Sequence, residues 1–376
     1  MFDPSLRASR LDDYLDRQDL EALWFARPGG FTWLVGGSNV IDRDADIGIA
    51  AAGYDGTFRV VTSNVEAERL RQEELSDVVS VESFPWHERW IVEAVTNRSP
   101  MPAAADFDVP GFDTIDIDRL RYPLSEHGVD RYRLLGRDAA AAVEKVCREL
   151  DAEDLERDVA RAIETELSSG GMNAPVVLVG GAERAGSYRH FTPTDALLGS
   201  YVLVSVTAER DGLYASLTRT VAFDPPEWLL DRHRAAMRIE ATALAATRAA
   251  ALGVLDGTGT SGDVFAAIRE AYDTLGFEGE WRHHHQGGVT GYAAREWVAT
   301  PAGTEPVREP MAYAWNPTVQ GTKSEDTHLI AGDRTKTLTT TGAWPTRTVE
   351  PVPIDGLDIN PSDVIGTIER HVPFDA

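Results

Sequence analysis

The pattern of apolar and polar positions in the first third of the chain predicts alternating helices and strands. Residues 9–18 carry their apolar side chains on one helical face, and residues 23–25 form an apolar run typical of a buried strand. A second helix is predicted over 65–75, and we expect residues 1–135 to form a mixed α/β domain. Further strands are predicted by short apolar runs between turn residues at 31–37, 47–52, 58–62 and 78–84.

The remaining residues combine long helical periodicity with a β-hairpin. Residues 138–167 repeat apolar side chains at three-to-four spacing, which predicts two consecutive helices. Two strands that turn at Arg210-Asp211 predict a hairpin over 201–221. We expect residues 136–376 to form a second domain. Its other predicted elements are strands at 175–179, 311–316, 325–330 and 336–341 and helices at 227–252 and 261–275.

The chain is strongly acidic, and this limits its partners. The formal net charge is −25, and only three of the 36 basic residues are lysines. Acid excess with little lysine is what we expect of a halophilic protein that works in molar salt, where the Debye length falls to about 3 Å. An acidic protein for basic partners and a partly disordered chain are the alternatives, but 43% hydrophobic residues and nine tryptophans oppose disorder. The charge also opposes nucleic-acid binding.

The cysteine content indicates a reducing compartment, and the lack of long apolar runs indicates a soluble protein. Cys147 is the single cysteine, so neither an intramolecular disulfide nor a multi-cysteine metal site can form. The first 20 residues lack the apolar core of a secretory signal, and no apolar run approaches 18 residues. We expect a soluble, cytoplasmic protein that does not bind membranes.

The stretch over 282–292 concentrates candidate chemistry. Three consecutive histidines are followed by three glycines within five positions, and glycine lets a backbone approach a ligand closely. If the histidines lie on a strand, alternation places His283 and His285 on one face and His284 on the other. We expect that face to line a pocket. A solvated strand end followed by a glycine-rich turn is the alternative.

Four short motifs occur in order along the chain: an apolar strand with an aromatic segment over 23–36, Tyr132-Arg133-Leu134-Leu135-Gly136, the hairpin stretch over 213–220 that ends in Thr218-Arg219-Thr220, and Ser324-Glu325-Asp326-Thr327. In this order they resemble the creatinase/aminopeptidase P/prolidase family, and the resemblance covers nearly the whole chain. It implies an N-terminal auxiliary domain, an interdomain link at 132–136, and a C-terminal pita-bread domain with one curved antiparallel sheet flanked by helices. It also implies a homodimer.

The resemblance places five metal-ligand positions in this chain, and three of them carry neutral side chains. The family binds two divalent ions through aspartates, a histidine and glutamates. Two adjacent divalent ions repel each other unless bridging carboxylates offset their charge, so we expect no two-ion centre and no cofactor. One ion on His190, His285 and Glu325 is the less favoured alternative. The five positions fall on Ser205, Ser216, His285, Asn316 and Glu325.

Creatinase, a member of the family that acts without metal, suggests how such a site works. By that analogy His190 and His285 are the candidate acid and base groups, and Glu325 orients or tunes one imidazole. Lys323 is expected either to bind a substrate carboxylate or to pair with Glu325 or Asp326. The remaining candidate substrate contacts are His283, Tyr292 and Asn316.

The sequence therefore predicts a metal-independent hydrolase that cleaves a C–N bond of a small amide, guanidino or amidine-like substrate carrying a carboxylate. A Xaa-Pro aminopeptidase or dipeptidase with an atypical metal site is the second hypothesis. A catalytically inactive member that binds a ligand or partner is the third. Outside the candidate site, Arg295-Glu296 is interpreted as a local salt-bridged pair.

Overall fold

The computed structural model describes residues 3–115, 117–253, 259–332, 334–354, 368–371 and 374–375. The chain divides into two compact units, Met1–Tyr122 and Pro123–Ala376. Each unit combines helices with β-sheet, which confirms the predicted mixed α/β class. Among the described helices, none has both the length and the apolar character needed to cross a bilayer.

The first unit is built on one sheet. Its strands are β1 (Ala22–Phe25), β2 (Ala50–Tyr54), β3 (Phe58–Ser63), β4 (Ser80–Phe84), β5 (Ala103–Ala105) and β6 (Asp113–Thr114). Its helices are α1 (Pro4–Gln18), α2 (Pro28–Val35), α3 (Ala67–Arg69), α4 (Ile91–Thr96) and α5 (Asp118–Arg121), with a π-helical turn at Leu70–Glu74. The strand order is β4-β3-β2-β1-β5-β6. Because all four residues of β1 are buried, this strand anchors the core of the unit.

One predicted strand of this unit is a helix. The segment predicted as a strand over 31–37 forms most of α2, which has Pro28 in its first turn and ends at Gly36 with φ of 86°. Residues 30–35 are all buried, so the helix has no polar face and its sequence lacks the amphipathic period. Proline at the start and glycine at the end were the signals that favoured a helix.

The second unit contains five helices in its described residues. They are α6 (Glu126–Cys147), α7 (Glu156–Ser169), α8 (Ala182–Ser187), α9 (Trp228–Ala251) and α10 (Ser261–Thr274). The prediction of an interdomain link at 132–136 was wrong, because these residues lie inside α6. The Ser125 side chain caps the first turn of this helix. The buried face of α6 continues through residues 132–136. The segment is therefore part of a packed helix and not a connection between domains.

The strands of the second unit form two main sheets. The strands are β7 (Asn173–Gly181), β8 (Tyr201–Arg210), β9 (Leu213–Ala222), β10 (Gly287–Thr290), β11 (Trp297–Val298), β12 (Met311–Trp315), β13 (Thr318–Val319), β14 (Thr322–Lys323), β15 (Asp326–Ala331), β16 (Arg334–Thr337), β17 (Thr346–Val349), β18 (Ile368–His371) and β19 (Phe374–Asp375). One sheet has the order β19-β9-β8-β7 and the other β11-β10-β12-β15-β16. The strand pairs β13-β14 and β17-β18 stand apart.

The expectation that the hairpin and the later strands share one sheet was therefore wrong in detail. The hairpin β8-β9 belongs to the four-stranded sheet, whereas β10, β12 and β15 belong to the five-stranded sheet. The two sheets meet where β9 approaches β15. There the Thr218 N–H donates to the Glu325 carbonyl at 2.9 Å, and the Ser216 N–H donates to the Thr327 hydroxyl at 2.8 Å. These bonds place the side chains of β9 next to those at the start of β15.

Candidate functional site

The three consecutive histidines do not lie on a strand. Glu280–His283 is a 3₁₀-helical turn, and β10 begins only at Gly287. Gly287 has φ of 95°, and a Cβ there would meet the Ala314 carbonyl at 2.1 Å, so the close pairing with β12 requires glycine. The predicted strand was consequently wrong. His283 and His285 are exposed and His284 is buried, with 8% of its surface accessible, but His284 stacks on His285 rather than lying on an opposite strand face.

The structure brings His190, His284 and His285 together. The Nε2 atoms of His190 and His284 are 3.1 Å apart, and the ring centroids of His190 and His285 are 6.3 Å apart. His284 stacks on His285 with ring centroids 4.4 Å apart. One ligand nitrogen from each residue lies within 4.8 Å of the other two. His190 and His285, which are distant in sequence, therefore lie within reach of one small substrate.

Burial and nearby cations keep these imidazoles neutral. Burial, followed by the charge of Lys323, lowers the pKa of His284 to about 2. Burial and the charge of Arg295 lower the pKa of His285 to about 4, and burial also lowers the pKa of His190. The Nδ1 atom of His284 is buried without a hydrogen-bond partner in the described structure. At neutral pH the cluster therefore presents lone pairs rather than positive charge.

The lowered pKa of His284 predicts that the fold loses stability in mild acid. The unfolded chain takes up this proton near pH 6.5, whereas the folded chain resists protonation, so the unfolded state binds more protons below pH 6.5. The contribution is fully present above pH 6.5, and about 2 kcal/mol of unfolding free energy is lost by pH 5.

Urea unfolding at pH 7 and pH 5 measures this loss. We expect His284→Gln to narrow the difference between the two pH values by about 2 kcal/mol relative to the unmodified protein. His283→Gln is the matched control, because His283 lies next in sequence but is exposed. Equal narrowing in both variants would contradict the assignment to His284.

Glu325 is a buried carboxylate held between two cations. Its Oε1 lies 3.0 Å from Arg295 Nη2, and its Oε2 lies 2.7 Å from Lys323 Nζ. Thr218 donates its hydroxyl to Oε2 at 2.8 Å. Burial alone would raise the pKa of Glu325, but Lys323 and Arg295 lower it to about 2. Of the two roles considered for Lys323, the structure thus contains the ion pair with Glu325.

Each of the two cations also reaches a buried serine. Lys323 Nζ lies 3.4 Å from Ser205 Oγ, and Arg295 Nη1 lies 3.1 Å from Ser216 Oγ. Ser205 in turn shares a 2.6 Å hydrogen bond with the Thr218 hydroxyl. We call Lys323, Arg295, Glu325, Ser205 and Ser216 the ion cluster.

The ion cluster does not suit two divalent ions. Both carboxylate oxygens of Glu325 already contact side-chain cations, and Ser205 and Ser216 contribute neutral hydroxyls that are hydrogen-bonded within the cluster. Asn316 adds a neutral amide whose buried Oδ1 has no hydrogen-bond partner in the described structure. A pair of divalent ions needs several anionic ligands to offset its charge. The ligand atoms of the ion cluster therefore do not suit a two-ion centre.

Glu240 holds the residues on both sides of Glu325. It accepts a hydrogen bond from the Ser324 hydroxyl at 2.5 Å and from the Asp326 N–H at 3.2 Å, and these two residues flank Glu325. His328 Nε2 lies 3.1 Å from Glu240 Oε1. All four supporting residues are at most 4% exposed. The backbone around Glu325 is thus fixed by buried polar contacts.

The other predicted substrate contacts lie in different surroundings. Tyr292 is 7% exposed, its hydroxyl lies 3.1 Å from Arg131 Nη1, and its N–H donates to Glu296 at 2.7 Å. His283 is exposed. A small cavity opens beside Lys323, next in space to the residues on either side of His190. Its lining residues are Ala185, Tyr188, Arg189, Phe191, Leu203, Thr318, Gly321, Thr322 and Lys323.

Sequence reasoning missed two residues of this site. His284 was assigned to the opposite face from His285 because a strand was assumed. Arg295 was assigned to Glu296, yet its guanidinium pairs with Glu325, 30 residues further along the chain. The position of His284 could have been found from Gly279 and the run of glycines, which signal a turn before Gly287. The contact of Arg295 with Glu325 depends on long-range packing, which local sequence does not specify.

The comparison with family descriptions gives one match. The description of metallopeptidase family M24 matches residues 130–333, which is more than half of the chain. No curated protein matches the chain by sequence.

Solved structures with the same fold span nearly the whole chain. The prolidase from Pyrococcus horikoshii OT3 shares 18% identity at a TM-score of 0.69, covering 89% of this chain and 98% of that one. The Xaa-Pro dipeptidase from Bacillus anthracis shares 12% at 0.70, covering 90% and 98%. The N-terminal domain of the FACT complex subunit SPT16 from chickpea shares 13% at 0.64, covering 91% and 98%. At these identities the likeness concerns the fold.

Proposed function

Because the chain belongs to metallopeptidase family M24, a family of hydrolases, we propose that it hydrolyses a C–N bond of a small, carboxylate-bearing substrate without the two-ion centre. The substrate class is a short peptide or a small amide, guanidino or amidine-like compound. The observation that carries the proposal is a cluster of neutral imidazoles near enough to Glu325 for its charge to act on their pKa values, while two side-chain cations already pair with that carboxylate.

His190 and His285 have the properties that proton transfer requires. A neutral imidazole accepts a proton from water as the water oxygen attacks the substrate carbon, and the imidazolium then donates that proton to the nitrogen that leaves. Both rings keep accessible surface, whereas His284 is buried between them and orients them. Each ring can therefore meet a substrate.

The low pKa of His285 in the free protein is consistent with this role when substrate is bound. Lys323 and Arg295 contribute to the lowering. A substrate carboxylate placed near these cations offsets their charge and moves the pKa of His285 back toward neutrality, where acid–base catalysis is most effective. The same arrangement favours a substrate with a carboxylate over a neutral one.

Turnover by metal-stripped protein tests the proposal. Protein dialysed against a chelator is incubated with a panel of short peptides and small amide and guanidino carboxylates, and release of amine is measured. We expect turnover of at least one carboxylate-bearing substrate at an unchanged rate after chelation. Saturable stabilisation of the fold by these compounds without amine release would instead favour the third hypothesis, an inactive binding protein.

A dipeptidase with a single metal ion is a second candidate, and the spacing of the imidazoles favours it. Tetrahedral zinc sites hold nitrogens about 2.0–2.1 Å from the ion, and the 3.1 Å between the Nε2 atoms of His190 and His284 suits two ligands of one ion. The structure favours His284 as third ligand in place of Glu325, because Glu325 is paired with two cations.

Zinc titration separates the two candidates. If the second is correct, calorimetry returns one zinc ion per chain, and His284→Ala lowers its affinity by more than about 100-fold. His283→Ala should leave binding unchanged, because His283 is exposed beside the cluster. No binding to the unmodified protein, or equal loss in both variants, would exclude a site on these histidines.

A further inference from the structure

We propose that Lys323 and Arg295 are fixed side-chain cations that replace the two metal ions of this family at the positions now formed by the ion cluster. The inference rests on the proposed function, which has no two-ion centre, and on the expected correspondence of Ser205, Ser216 and Glu325 with metal-ligand positions of the family. In addition to carrying fewer acidic ligands, the site then has the places of the two ions filled by side-chain cations.

The geometry of the ion cluster pairs each cation with one serine and one oxygen of Glu325. Lys323 joins Glu325 Oε2 to Ser205, at 2.7 Å and 3.4 Å. Arg295 joins Glu325 Oε1 to Ser216, at 3.0 Å and 3.1 Å. One carboxylate thus bridges two positive centres, and each centre has its own hydroxyl. Bridging of this kind is how a carboxylate holds two metal ions.

Burial keeps the two cations in place and divalent ions out. The side chains of Lys323, Arg295 and Glu325 are 7%, 13% and 4% exposed, so the cations cannot leave for solvent without uncovering a buried carboxylate. Two cations and one anion leave a formal local charge of +1. A divalent ion entering this place would meet that charge at short range and would have to displace an ammonium or a guanidinium from Glu325.

Acidic side chains restored at positions 205 and 216 would meet the two cations. Aspartate at position 205 would lie beside Lys323, and aspartate at position 216 would lie beside Arg295, because the serines at these positions already contact those cations. Each new carboxylate would then complete an ion pair rather than an ion-binding site. Restoring acids alone should therefore fail to restore metal binding.

Four proteins compared by manganese titration test the proposal. They are the unmodified chain, Ser205→Asp/Ser216→Asp, Lys323→Met/Arg295→Met, and the combination of all four substitutions. Manganese is the probe because it prefers oxygen ligands, and the histidine cluster is the same in every protein. Bound and free ion are separated by electron paramagnetic resonance. We expect the combined variant to bind manganese at least about tenfold more tightly than each of the other three.

Two outcomes would overturn the inference. If the two serine substitutions alone bind manganese as tightly as the combined variant, the cations do not occupy the ion positions. If the combined variant gains nothing over the unmodified chain, these positions do not hold ions. Should the combined variant fold only with manganese present, the rise in its unfolding temperature with manganese concentration gives the affinity. Should it fail to fold, the manganese affinity of Ser205→Asp/Lys323→Met is compared with that of Ser205→Asp. This comparison tests the proposal at Lys323 alone.

Failure of this inference is distinguishable from failure of the proposed function. The manganese titration involves no turnover, and the turnover assay on chelated protein involves no substitution in the ion cluster. Metal binding by the serine variants would leave acid–base catalysis by the histidines intact. Conversely, a protein without activity could still carry side-chain cations in place of metal ions.

Discussion

Replacing His285 with alanine should lower turnover by about 10²–10⁴-fold, the range that positioned proton transfer contributes. His285 keeps accessible surface beside His190 and shares the cluster in which burial and Arg295 hold its pKa at about 4. Loss of this imidazole removes the group that carries the proton from water to the leaving nitrogen. The measurement is kcat and KM on a substrate found with the chelated protein, and we expect the loss mainly in kcat.

Two control variants and a stability measurement make this result specific. His285→Gln should not restore activity, since an amide has the size of the ring but cannot carry a proton. His283→Ala should retain activity, because its side chain is exposed outside the cluster. The unfolding temperature of His285→Ala should stay near that of the unmodified protein. Retained turnover in His285→Ala would transfer the leading role to His190 or, if His190→Ala is also active, contradict the proposed mechanism.

The fold was largely predictable because its periodic signals are strong. The hairpin β8-β9 and the helices α7 and α9 show regular apolar spacing and lie close to their predicted positions. One exception, α2, is buried over residues 30–35, and burial removes the polar face on which helical periodicity depends. The prediction of this element thus failed because the helix has no polar face.

The site was predictable in its residue types and less so in its pairing. Position-by-position resemblance supplied His190, His285 and Glu325, and the structure brings the first two within 6.3 Å between ring centroids. The partners of Glu325 were harder, because Arg295 and Lys323 reach it from different strands and turns. Arg295 lies shortly before β11 and Lys323 lies on β14, so their approach to Glu325 depends on long-range packing that no local pattern in the sequence encodes.

Behind the site, a second group of buried charges holds the two sheets to α6. Arg219 on β9 is 1% exposed and pairs with Glu144 on α6 at 2.9 Å and with Asp326 on β15 at 3.0 Å. It also donates to the Thr339 carbonyl at 2.7 Å. The residue that follows Glu325 in the chain is therefore anchored by this arginine.

Arg219→Met should consequently destabilise the fold by about 3–5 kcal/mol, the cost of removing one member of a buried ion pair. Glu144 and Asp326 are each at most 1% exposed, so neither can turn to water when the guanidinium is removed. Methionine fills most of the space, and the loss is therefore electrostatic rather than a cavity effect. Urea unfolding at neutral pH and high salt measures the change, with the midpoint expected to fall while the slope stays constant.

The control for Arg219 is an exposed ion pair of the same chemistry. Arg133 and Asp130 are 2.8 Å apart, but their side chains are 47% and 67% exposed, and Arg133→Met should change stability by less than about 1 kcal/mol. Adding Glu144→Gln and Asp326→Asn to Arg219→Met should recover part of the loss, because both buried carboxylates that faced the guanidinium are then neutral. Equal effects at Arg219 and Arg133, or no recovery in the triple variant, would show that buried charge pairing does not hold β9 and β15 to α6.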